Sequence, residues 1–135
     1  MSWTFGIWIM NVALDIDGTI TKAPLFFSLL SRSVRSAGGK VFIVTSRANI
    51  GGVAAQTRQE LITDRIEFDE LYIIPDREDE QLPCLHQGLD WHQKYLWQKV
   101  KLCLDQNVEV MFEDDPQVIA LFAEFAPRIQ IFQAK

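Results

Sequence analysis

Asp15 and Asp17 stand two residues apart where an apolar run ends, and Gly18 and Thr19 follow at once. Residues two apart on an extended strand face the same side. Two carboxylates aimed at one point beside a buried strand repel each other unless a cation or a proton offsets them. A hard divalent cation such as Mg²⁺, which takes oxygen ligands, answers that need. The plain alternative is a turn, because Asp and Gly crowd turns for conformational reasons alone. Against it, the pattern of an apolar strand closed by a polar cluster recurs twice: residues 40–44 run into Thr45-Ser46-Arg47, and residues 108–112 run into Glu113-Asp114-Asp115-Pro116.

The elements that must position these clusters alternate along the chain. The apolar run of residues 7–14 reads as a buried strand that spills into a tight turn at 15–19. Leu25, Phe26, Leu29, Leu30, Val34 and Ala37 follow at helical spacing, with Pro24 suited to a first turn and Gly38-Gly39 to a stop. Residues 53–64 make a poorly amphipathic helix, 68–74 a strand, and 76–90 a charged loop whose Arg77-Glu78-Asp79-Glu80 run reads as solvated surface. From Asp90, an N-cap candidate, a helix runs to about Gln106 with Leu96, Val100, Cys103 and Leu104 on its apolar side. A short helix carrying Val118, Ile119, Leu121, Phe122 and Phe125 and a last strand at 129–132 close the chain. Strands alternating with helices on short connections predict an α/β fold: a three-layer, Rossmann-like domain with a central, mainly parallel sheet of about five strands, spanning residues 1–135. Ligands of such sheets gather beyond the carboxyl ends of the strands, where all three clusters lie.

Two carboxylates, a hydroxyl with an arginine, and an acidic pair can thus converge on one metal ion and one phosphate. A lysine is needed to balance an anionic nucleophile and phosphoryl oxygens. The helix preceding a parallel strand runs antiparallel to it, so its first turn is expected at the carboxyl edge, and that turn holds Lys94. Lys99 and Lys101 follow about 7 to 10 Å further along the axis. Lys94 is the expected residue and Lys99 the reserve. His86 and His92 carry no ligand pattern, and Trp91, Tyr95 and Trp97 read as packing or loop cover rather than base-stacking platforms.

Composition narrows the partners. Of 135 residues 48% are hydrophobic, enough for a core, and the formal charge is −5, from 13 basic and 18 acidic residues. That balance opposes wrapping along nucleic acid by phosphate neutralisation, while leaving room to grip one phosphate or a strand end. Two cysteines without a zinc-type spacing predict free thiols in a reducing compartment, with the cytoplasm as the default. No stretch is long enough to span a membrane.

Taken in order, Asp15-Ile16-Asp17-Gly18-Thr19, Thr45-Ser46-Arg47, a lysine and Glu113-Asp114 resemble the four motifs of the haloacid dehalogenase superfamily of phosphatases, and within it the phosphatase half of phage-type polynucleotide kinase-phosphatases. The resemblance implies a Mg²⁺-dependent phosphomonoesterase in which Asp15 is the nucleophile and Asp17 the general acid and base, with the Asp17 carbonyl on the metal. It also implies that Gly18, Thr45, Ser46 and Arg47 hold the phosphoryl group, that the lysine balances charge, and that Glu113 and Asp114 complete the metal shell. The superfamily's acidic pair is commonly Asp-Asp or Gly-Asp. Here Glu113, Asp114 and Asp115 stand in a row, so the pair is Glu113-Asp114 or Asp114-Asp115, and Asp114 belongs to both. The intervals between motifs leave no space for an inserted cap. Within this superfamily an open site implies a nucleotide, a nucleic-acid phosphate end or another small phosphate ester as substrate. A module that binds metal or phosphate without turnover is the alternative.

Overall fold

The structure, a computed structural model, describes residues 2–4, 7–74 and 88–134. Its centre is a five-stranded parallel sheet of β3 (Val12–Leu14), β4 (Val41–Thr45), β5 (Glu70–Ile73), β6 (Val110–Glu113) and β7 (Gln130–Gln133), in the order β5-β4-β3-β6-β7. The helices are α1 (Pro24–Ser36), α2 (Val53–Thr63), α3 (Trp91–Asp105) and α4 (Pro116–Phe125). A separate antiparallel hairpin pairs β1 (Ser2–Thr4) with β2 (Ile7–Ile9). This is the α/β, three-layer architecture that the alternation of elements predicts. Among the described residues no helix is long and apolar enough to cross a membrane.

Strand register explains the hydrophobic runs. Alternate side chains face opposite layers, so Val12, Leu14, Val41 and Ile43 pack with Phe27, Val34 and Leu61 of α1 and α2. Ala13, Phe42, Val44 and Met111 pack with Leu96, Val100, Cys103, Val118, Leu121 and Phe122 of α3 and α4. A strand covered on both faces cannot show polar alternation, which is why these segments read as continuous apolar stretches. The one-strand reading of residues 7–14 is corrected. The run breaks at Met10 and Asn11, whose side chain is committed to the backbone of two neighbours: Asn11 Nδ2 donates to the Asn107 carbonyl (3.3 Å), and the Lys40 N–H donates to Asn11 Oδ1 (3.1 Å).

Local signals set the helix ends. Pro24 opens α1. Asp90 caps α3 through a reciprocal box with Gln93, and Asp115 caps α4 by accepting the Gln117 N–H (2.9 Å). Residues 75–87, which hold most of the expected loop together with Cys84 and His86, lie outside the described residues.

The α1/α2 layer does not reach across β6 and β7. It leaves a hollow of about 580 Å³ walled by Met10, Val12, Leu30, Val110, Phe112 and Phe132. Phe112 and Phe132 stack there at 5.4 Å. Leu25, Phe26 and Leu29 of α1 are exposed.

Candidate active site

β3 is central, with β4 on one side and β6 on the other, so the strand order reverses at its carboxyl end, where ligands of open parallel sheets collect. Leu14 pairs with Ile43 and with Phe112. The next residue, Asp15, therefore lies one strand spacing, about 4.8 Å, from each neighbouring strand end. The three polar clusters meet for this reason. They wall a hollow of about 310 Å³ lined by Asp15, Asp17, Thr45, Ser46, Lys99 and the 113–116 turn.

Asp15 is buried, and each of its oxygens has a donor: Lys99 Nζ reaches Oδ1 at 3.1 Å and Thr19 Oγ1 reaches Oδ2 at 3.1 Å. Burial pushes its carboxyl up to about 8; the Lys99 ammonium opposes this, while Glu113 and a hydrogen bond with Asp114 add to it. Lys99 is almost fully enclosed and also donates to Glu113 Oε2 at 2.9 Å. Burial works against its charge, yet Asp15 and Glu113 prevail and hold the ammonium above its ordinary value. One cation among three neighbouring carboxyls leaves the group short of positive charge.

The ammonium beside Asp15 thus belongs to Lys99, and Lys94 does not reach it. α3 is longer than the strand it precedes. Counting back from Asp105, Lys99 lies about 9 Å up the helix and Lys94 about 16 Å, whereas β6 rises only about 10 Å to Glu113. The first turn overshoots the sheet edge, and Lys94 is partly exposed with no side-chain hydrogen bond or ion pair to a described residue. Lys99 lies three residues after Leu96 and four before Cys103, on the buried stripe of α3, so a lysine interrupting an apolar stripe was the legible signal.

The acidic row divides its work. Asp15, Glu113 and Asp114 offer oxygens within 4.8 Å of one another and could hold a metal ion. Both Glu113 oxygens are already engaged, Oε2 by Lys99 and Oε1 by the N–H groups of Asp114 (3.2 Å) and Asp115 (3.3 Å). Asp115 is the helix cap. Asp114 remains, lying against Gly18, where a Cβ would stand 2.1 Å from Asp114 Oδ2. Gly18 also has φ +82°, a conformation that L side chains rarely adopt. Two carboxyls side by side, with oxygens close enough to share one ion, fit a hard cation.

Arg47, expected on a phosphoryl group, is engaged within the protein. It forks onto Asp17 with two contacts of 2.9 Å and reaches Glu60 (2.9 Å) and Thr57 (3.1 Å) on α2. These hydrogen bonds hold the Asp17 carboxyl below its usual range. Thr45 Oγ1 accepts the Arg47 N–H at 3.1 Å, and Tyr95 donates its hydroxyl to the Ser46 carbonyl at 3.2 Å, tying α3 to the turn after β4. Thr57, Glu60 and Tyr95 are the contacts that sequence reasoning missed, because each acts across elements at no regular spacing.

No protein-family model and no curated protein sequence matches the chain. Its fold is similar to chains in two solved structures. One is of the Pnkp1/Rnl/Hen1 complex, with 18% identity and a TM-score of 0.65 over 93% of this chain and 45% of that one. The other is of the Pnkp1/Rnl/Hen1 RNA repair complex, with 17% identity and a TM-score of 0.62 over 98% of this chain and 44% of that one. The chain spans under half the length of the chains it matches. At such identity the likeness is one of fold: the chain shares the α/β architecture of a component of these complexes.

Proposed function

We propose that this chain is a Mg²⁺-dependent phosphomonoesterase of the haloacid dehalogenase type, related to polynucleotide kinase-phosphatases, that acts on a nucleotide or a nucleic-acid phosphate end. One observation carries the reading: Asp15, at the switch point of the sheet, faces an open hollow with Lys99 on one oxygen and Asp114 beside it. The likeness to RNA repair complexes supports the nucleic-acid end as substrate.

In this reading an Asp15 oxygen attacks phosphorus, the ester P–O bond breaks, and the departing alkoxide takes a proton from Asp17. Water then attacks the aspartyl-phosphate, Asp17 accepts its proton, the Asp15–phosphorus bond breaks, and inorganic phosphate leaves. Splitting the displacement in this way replaces one hard step with two easier ones. Lys99 offsets charge on Asp15 and the phosphoryl oxygens. Thr45 and the neighbouring amides hold the phosphoryl group. Glu113 orients Lys99 and offers an oxygen to the same cation. Asp15, Asp114 and the Asp17 carbonyl would hold Mg²⁺, which would supply positive charge to the carboxylate and phosphoryl oxygens. While Arg47 grips Asp17, that carboxyl stays ionised, so Asp17 becomes a proton donor only when an incoming phosphoryl dianion competes for the guanidinium.

Phosphate release with Mg²⁺ from p-nitrophenyl phosphate, nucleotides and 3′-phosphorylated oligonucleotides tests this. Wild type should turn over, and Asp15→Asn and Asp17→Asn should not. Wild type as inert as Asp15→Asn on every substrate would refute it.

A further inference from the structure

Trp91, Tyr95 and Lys99 occupy positions i, i+4 and i+8 of α3, one side of the helix, in steps of about 6 Å along its axis. Lys99 is enclosed at Asp15, Tyr95 is half-buried with its hydroxyl on the Ser46 carbonyl, and Trp91 is 44% exposed. The Trp91 and Tyr95 rings are stacked, 6° from parallel with centroids 6.1 Å apart. An aromatic column therefore climbs from the wall of the phosphate hollow toward solvent, anchored at its foot to a residue that lines that hollow.

We propose that this column is a nucleobase platform: the base attached to the phosphate at Asp15 stacks on Trp91, which selects nucleotides and unpaired strand ends over base-free phosphate esters. The proposal rests on the phosphatase site and adds its substrate class. Loop cover alone leaves the link to Ser46 unexplained, because packing does not require the stack to begin on the turn that borders the scissile group. Charge points the same way. A chain of net −5 gains little from a run of backbone phosphates, whereas stacking is independent of charge and tolerant of sequence, since every base has a π-face. The base must be unpaired to reach the ring, which favours single-stranded ends over duplex termini.

The test compares adenosine 3′-phosphate with ribose 5-phosphate, measuring affinity by calorimetry in the Asp15→Asn background and turnover by phosphate release with Asp15 intact. The affinity ratio favouring the nucleotide should fall about tenfold in Trp91→Ala and be largely kept in Trp91→Phe, whose ring still stacks. An unchanged ratio in a folded Trp91→Ala protein, or equal affinity for the two ligands without that substitution, overturns the platform. The two readings fail separately. A Trp91-dependent preference without turnover leaves the platform standing and removes the phosphatase, whereas turnover with no preference does the reverse.

Discussion

Replacing Lys99 by Met tests the electrostatics of the site and separates it from Lys94. Met nearly matches Lys in length and volume, so the change opens little cavity and isolates the charge. Lys99 bridges Asp15 at 3.1 Å and Glu113 at 2.9 Å, and all three side chains are buried. Removing one partner of a buried ion pair costs about 3–5 kcal/mol, because the abandoned charge keeps its desolvation penalty. Two carboxyls are abandoned here, and Asp15, which burial already raises and Lys99 lowers, relieves the strain by taking up a proton. Its folded-state value then lies further above the unfolded one, so the folded variant binds more protons than the unfolded chain. Its stability contribution is intact in acid and is lost as pH rises through the folded value. Urea unfolding of Lys99→Met should therefore show a deficit of about 3–5 kcal/mol at pH 8 that shrinks toward pH 5, together with loss of phosphate release. Lys94→Met should stay within about 0.5 kcal/mol of wild type and keep its turnover. The reverse outcome, with Lys94→Met inert and Lys99→Met active, refutes the geometric argument, and a deficit that grows toward acid refutes the charge argument.

Three further outcomes follow from the site and its surroundings. Because burial holds the metal-free Asp15 carboxyl near 8, Mg²⁺ binding at pH 6.5 should release close to one proton and at pH 9.5 almost none, read as the dependence of calorimetric enthalpy on buffer ionisation. Buffer-independent enthalpies at both pH values sink this, and Asp15→Asn should abolish the release. Gly18→Ala must place a Cβ 2.1 Å from Asp114 Oδ2 at φ +82°, so it should destabilise by about 2 kcal/mol and weaken Mg²⁺ binding, which isothermal titration checks. Burial raises the Cys103 thiol to about 12, so peptide mapping after iodoacetamide treatment at pH 8 should find Cys103 unmodified in the native protein and modified in urea.

Most of what positions the site was legible. Strand ends carry periodicity, turn chemistry and polarity at once, and Asp15, Thr45 and Glu113 each showed all three. What could not be read was relative length. The choice of Lys94 treated the first turn of α3 as level with the sheet edge, although a 15-residue helix outruns a four-residue strand. The contact of Glu113 with Lys99 was equally hidden, because a buried lysine's need for a second carboxylate belongs to the folded interior and to no local pattern. Arg47 was expected on a phosphoryl group. Its grip on Asp17, Thr57 and Glu60 depends on where α2 lies, which a weakly amphipathic segment does not reveal.

The oily hollow over β6 and β7 reaches the amino ends of the strands at Val108 and Glu109, while the acidic cluster lies beyond their carboxyl ends. No residue walls both. A molecule lodging on Phe112 and Phe132 would therefore leave the acidic rim open to solvent.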